Sequence, residues 1–275
     1  RWRRRGGWRK ARVASSPLRW FFAIQAALIT HPLLDAFTVY GTQLWWPLPV
    51  APTMWSSVFI IDPGYTLWLL LACVVAWFAR ERVLAQRALV FGLALSSAYL
   101  GWSLIAKGMV EREAQRSLAA LGLGDAPRFS VPMPFNTLLW RVVAMTPDGF
   151  VEGERSLWAD RGPMEFRGHA SNTQALAEAR DLPAVRRLAW FNRGFMKARE
   201  RDGRLELSDL RMGAEPDYSF VFVVARRDAG AWQPVAPEQL RPPWEARRRL
   251  GTMWHRIWNS PTVAVVPGPH ARADD

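Results

Sequence analysis

Apolar residues crowd the first 106 positions, whereas the rest of the chain alternates between apolar and polar. After a basic segment at 1–16, residues 18–40 form a run long enough to cross a hydrocarbon core, which needs about 20 residues. Pro32 lies inside that run, where it frees a backbone carbonyl one turn earlier and favours a kink. Residues 41–61 hold three Pro and three Trp, a mixture suited to an interfacial or re-entrant loop. Asp62-Pro63 reads as a helix start, with Asp as N-cap and Pro in the first turn. A second span then runs to Ala79, and a third covers 88–106.

From 107 to 121 the pattern turns polar but stays helical, and the stalk ends at the glycines of GLG. Strands are predicted at 138–145, 149–158, 195–201, 204–210 and 218–226, where residues alternate or are β-branched and aromatic. Asp202-Gly203 is a hairpin signal between two of them. Helices are predicted at 173–180 and 184–190. The fold class is therefore a membrane α-helical region of about three spans followed by a small α+β extramembrane domain with a mainly antiparallel sheet. The expected organisation is a basic segment at 1–16, a transmembrane region at 17–106, a stalk at 107–124, the α+β domain at 125–240, and an amphipathic helix with a disordered tail at 241–275. That last helix, at 244–258, suits either a bilayer surface or packing on its own domain.

Half of the 275 residues are hydrophobic and 16 are Trp, yet the net charge is +12. Residues 1–106 carry 11 Lys/Arg against 3 acids, and the remainder 25 against 21. The excess flanks apolar runs, which argues for membrane topology and against nucleic-acid binding. The basic N-terminus and the loop at 80–87 read as cytoplasmic, so the α+β domain is expected in the periplasm. No small-residue cleavage pattern follows the first apolar run, so no signal peptide is read there. Cys73 is the only cysteine and excludes an intramolecular disulfide; in its apolar run it reads as a small buried hydrophobe.

His31 and Asp35 are the chemistry of the first run. Their i, i+4 spacing puts both on one helix face, and ionisable groups in a membrane helix need a partner, a cavity or a metal. Two readings stay open: a half-site for zinc or manganese, or a hydrogen-bonded pair that locks the helix. Asp62 is a candidate base or ligand, against a simple N-cap. Thr38, Tyr40 and Thr42 are candidate substrate-binding groups, against loop packing. His169, His255 and His270 lack a ligand-spaced partner, and Asp209 and Asp217 read as ordinary surface acids. The chain has no G-x-S-x-G, H-E-x-x-H, P-loop or paired C-x-x-C, and LGLGDAP fails the dinucleotide pattern at its third glycine.

HPLLDAFTVYGTQLWWP followed by FIIDPGYTLWLL resembles the YdjM-type inner-membrane family described as metal-dependent hydrolases. The likeness extends to PFNTLLWRVVA (134–144), WFNRGF (190–195) and SDLRMGAEPDYSFVFVV (208–224). The resemblance implies a divalent metal with His31 and Asp35 among its ligands, and Asp62 as a further ligand or base. It also implies an upstream span with an HRG-x-THS-like motif, with residues 1–12 resembling the basic loop that follows it, so a truncated N-terminus is expected. The expected activity is hydrolysis of a lipid-linked or amphipathic ester or phosphoester at the membrane. The alternatives are an anchored interaction or envelope-stress module and a transporter or proton relay.

Overall fold

A computed structural model describes residues 16–79, 81–240 and 246–260. The basic segment up to residue 15, Arg80, and the tail from residue 261, with His270, lie outside the described residues. Three helices come first. Helix α1 (Pro17–Asp35) starts with Pro at its first turn and carries Pro32 internally. Helix α2 (Pro63–Phe78) is capped by Asp62, whose side chain accepts the Gly64 amide. Helix α3 (Arg82–Ala120) runs 39 residues without interruption, merging the third span with the expected stalk. It ends where Gly122 takes a φ of +75° and the Leu123 amide reaches back to the Leu118 carbonyl. That is a Schellman stop, and it needs glycine at the left-handed position.

Among the described residues, one helix, α3, is long and apolar enough to cross a membrane, where three were expected. Helix α2 has 16 residues, so it extends about 24 Å at 1.5 Å per residue against a core of about 30 Å. Helix α1 has 19, but Arg19, Gln25 and the Thr30–His31–Pro32 and Asp35 end dilute its apolar character. Cys73 is exposed on the outer face of α2, not buried. Helices α2 and α3 pack as a tight hairpin: a Cβ on Gly92 would lie 2.4 Å from Ala72 Cβ and 2.7 Å from the Trp68 carbonyl. Ser96 adds an interhelical bond to the Tyr65 carbonyl at 2.7 Å.

Two four-stranded antiparallel sheets follow. The first, in the order β1 (Arg128–Pro132), β2 (Leu139–Thr146), β3 (Gly149–Ser156), β4 (Arg167–Ala170), lies against the outer half of α3. Trp140 and Val142 bury against Ala106, Val110 and Ala114 of that helix. The second sheet has the order β10 (Ala231–Leu240), β9 (Val221–Asp228), β6 (Arg204–Asp209), β5 (Met196–Arg201). Helices α4 (Thr173–Glu178) and α5 (Pro183–Asn192) cover it over Leu205, Leu207 and Val224. The two-residue strands β7 (Gly213–Ala214) and β8 (Asp217–Tyr218) form a small clip between β6 and β9.

The mainly antiparallel α+β domain is thus as expected, with additional edge strands. β1, β4 and β10 were not predicted, because β1 ends in Pro, β4 is four residues long, and β10 contains Pro234 and Pro237. All three are edge strands, where a missing amide is tolerated. The last helix, α6 (Ala246–Trp258), packs on its own domain through Ile257, which is fully buried.

Candidate functional site

The turn after α1 is made by the motif itself. Phe37 and Thr38 donate their amides to the Leu34 and Asp35 carbonyls, and Thr38 Oγ1 donates to the Asp35 carbonyl at 2.7 Å. The chain then folds back: the Trp55 amide bonds the Ala36 carbonyl, and the Ser57 amide the Phe37 carbonyl. Thr42 and Thr53 exchange backbone bonds at 2.9 and 2.8 Å and close the loop. Rather than lying free at an interface, this loop enters the sheet domain. Val39 sits in one core with Phe129, Val131, Val143, Phe195 and Leu210, joining the two sheets. The tip, with Trp45 and Trp46, stands exposed, as do Tyr40 and Trp55 in part.

His31 Nε2 lies 3.4 Å from Asp35 Oδ2, and the two side chains are 79% and 52% exposed. No residue of α1 is buried, so no other described element covers this face. Asp62 is elsewhere. Its Oδ1 accepts the Gly64 amide at 2.9 Å, and the ring of Tyr99 stacks so close that a Cβ on Gly64 would approach within 2.5 Å of it. Among the described residues no three of His, Cys, Asp and Glu gather in one place, so Asp62 does not join the pair. The donor chemistry of the pair fits zinc or manganese, for which it would supply two ligands.

The hydroxyl of Thr38 and the backbone of Thr42 are engaged within the loop. Tyr40 packs its ring on Phe191 and Phe220, and its carbonyl accepts from Arg211. Arg211 is the residue that sequence reasoning missed. It is 2% exposed, paired in a fork with Asp209 at 2.9 and 2.7 Å, and stacked on Phe191 at 4.5 Å. Asp209 is correspondingly buried, not a surface acid. A second buried arginine, Arg141, pairs with Glu152 and donates to the Leu210 carbonyl at 2.7 Å. His169 stacks on Phe150 and His255 is exposed.

Where α3 meets the sheet, Lys107 donates to Ser130 Oγ at 2.7 Å, and Ser130 donates to Glu111 at 2.6 Å. Ser56 of the motif loop donates to the Ser130 carbonyl at 2.8 Å, so loop, helix and first strand share one polar clasp. A cavity of about 470 Å³ opens between the motif loop and α6, walled by Val39, Phe59, Met133, Leu250 and Met253, with Glu154 at its side. Burial pushes the Glu154 carboxyl above its usual range, and the Arg256 guanidinium pulls it part of the way back. Burial also raises the Tyr218 phenol behind this wall.

The stretch that holds the apolar helices has a counterpart among known proteins. Residues 2–110 match the YdjM inner membrane protein family. The YdjM-like part covers α1, the motif loop, α2 and most of α3, and it ends before the first sheet. The likeness read at 134–144, 190–195 and 208–224 lies outside that match. No curated protein and no solved structure matches the chain significantly. The chain is thus similar to an inner-membrane family over its helical part, and a mainly antiparallel sheet domain follows the YdjM-like helices.

Proposed function

We propose that the protein is a multi-pass inner-membrane hydrolase that uses a divalent metal, zinc or manganese, on a lipid-linked or amphipathic ester or phosphoester. The observation that carries this reading is the His31–Asp35 pair, an imidazole and a carboxylate 3.4 Å apart at the end of an apolar helix and open to the outside. A divalent ion there would supply a water acidic enough to act as hydroxide at neutral pH. His31 and Asp35 would hold it from one helix face, with further ligands outside the described cluster. Thr38, Tyr40 and Thr42 hold the loop that sets the end of α1, and Asp62 starts α2. The cavity beginning at Val39, four residues beyond Asp35, offers an apolar wall for the greasy part of such a substrate.

The multi-pass reading rests on the outward faces of the two shorter helices. Phe22, Ile24 and Leu28 of α1 and Leu70, Val74 and Trp77 of α2 are all exposed. Water would penalise such surfaces, whereas acyl chains accept them. The basic flank at 80–87 supports a cytoplasmic loop there and a periplasmic sheet domain. Metal analysis of the purified full chain tests the site. His31→Ala and Asp35→Ala are each expected to lower the bound metal and the hydrolytic rate together; unchanged stoichiometry in both removes the pair from the centre.

A further inference from the structure

Three tryptophans form an exposed cluster outside the motif. Trp158 and Trp258 meet edge to face at 5.9 Å, and Trp254 and Trp258 at 5.8 Å. They are 62%, 42% and 62% exposed in the order Trp158, Trp258, Trp254. A patch of this kind on a soluble face would be an association liability. Its position in the fold gives it a different partner.

The strand register fixes the height of the cluster above the helices. Ser156 pairs with Leu139, and the Leu157 amide bonds the Leu138 carbonyl, so Trp158 follows directly on the edge of the sheet that holds residues 137–139. Thr137 Oγ1 accepts from Trp102 Nε1 at 3.1 Å. Trp102 lies four residues before the end of the 88–106 apolar stretch, so this edge sits within about 6 Å of the level where that stretch stops. Trp258 is tied to the same edge: Ser156 Oγ donates to the Ile257 carbonyl at 2.6 Å, and Arg256 pairs with Asp160. The opposite ends of β2 and β3 point away from the bilayer, where the Met145 amide bonds Pro127 near the top of α3.

We propose that Trp158, Trp254 and Trp258 are an interfacial anchor, seating the underside of the sheet domain in the headgroups of the leaflet from which α3 emerges. Indole favours this zone because its ring is apolar while its N–H still finds water or phosphate. The cluster continues an aromatic level that Trp102, itself exposed, begins on α3. The sheet domain therefore lies against the membrane surface instead of standing clear of it on a stalk.

The test uses the full chain in phosphatidylcholine bilayers, with Cys73→Ser as background and one nitroxide label at a time. Trp254→Cys reports the cluster, and Asp148→Cys, at the turn between β2 and β3, reports the far end of the sheet. The label at 254 is expected to collide more with oxygen than with a water-soluble nickel chelate, and the label at 148 the reverse. Replacing Trp158 and Trp258 together by Ala should raise the chelate accessibility at 254 several-fold. Equal chelate accessibility at 254 and 148 would overturn the proposal. So would dipolar broadening at 254 that vanishes on dilution with unlabelled protein, because the partner would then be a second copy.

Discussion

Arg211 does the work of a crosslink. Its fork closes on Asp209, and its remaining nitrogen reaches the Tyr40 carbonyl at 3.0 Å and the Phe191 carbonyl at 3.2 Å, so motif loop, α5 and β6 converge on one guanidinium. Removing the cation strands a buried carboxylate. Arg211→Met is therefore expected to cost about 3–5 kcal/mol, read as a lowered midpoint of thermal unfolding of the full chain in detergent micelles. Arg211→Lys should recover only a fraction, since an ammonium lacks the planar fork. The sequence does carry a signal for this pair. Alternation in β6 puts Leu205, Leu207 and Asp209 on the same inward side, and all three are buried. Mixed charge along the segment hides it, because acids beside arginines are ordinary at a surface. His31 and Asp35 are the opposite case: their helical spacing alone predicts the shared face, whereas their exposure depends on what covers α1, which no spacing encodes.

Helices and strands were legible to different depths. Where one apolar period persists, as in α3, the element emerges nearly whole, and the polar turn at Lys107 does not interrupt it because no proline breaks the hydrogen-bond ladder. Where partner strands supply the stability, as in β4 and β10, the local pattern is too short or too rich in proline to declare itself. The α2–α3 hairpin depends on a close approach that composition alone does not reveal. Gly92 and Gly101 are both glycines of α3, yet an added Cβ collides with Ala72 and Trp68 at the first and meets nothing within 4 Å at the second. Gly92→Leu should accordingly lower the thermal aggregation temperature of the purified chain clearly, while Gly101→Leu leaves it near that of the parent. A similar loss in both would show that the helices do not cross at Gly92.

At the scale of the whole molecule, membrane part and sheet domain are not separable bodies. Residues 36–58 lie within the apolar third of the sequence, but Val39 completes the core between the sheets, and Ala106, Val110 and Ala114 complete the face of Trp140 and Val142. A fragment of residues 125–240 lacks both and is expected to remain unfolded, with collapsed amide dispersion in its NMR spectrum. Deleting residues up to 35 removes no buried side chain of the described structure and should leave the unfolding transition of the sheet domain in place. A well-dispersed spectrum from the 125–240 fragment would contradict this account.

Helix α3 is one unbroken rod of 39 residues, about 58 Å from end to end. Its inner part is long and apolar enough to cross a bilayer, while its outer part is bolted to β1 and β2. A rod of fixed length answers a thinner or thicker bilayer by leaning. With no hinge between the two halves, every degree of lean is handed on to the sheets as a rotation of the outer body. In a bilayer of different thickness, such a rod would re-aim the far end of the molecule without any contact there.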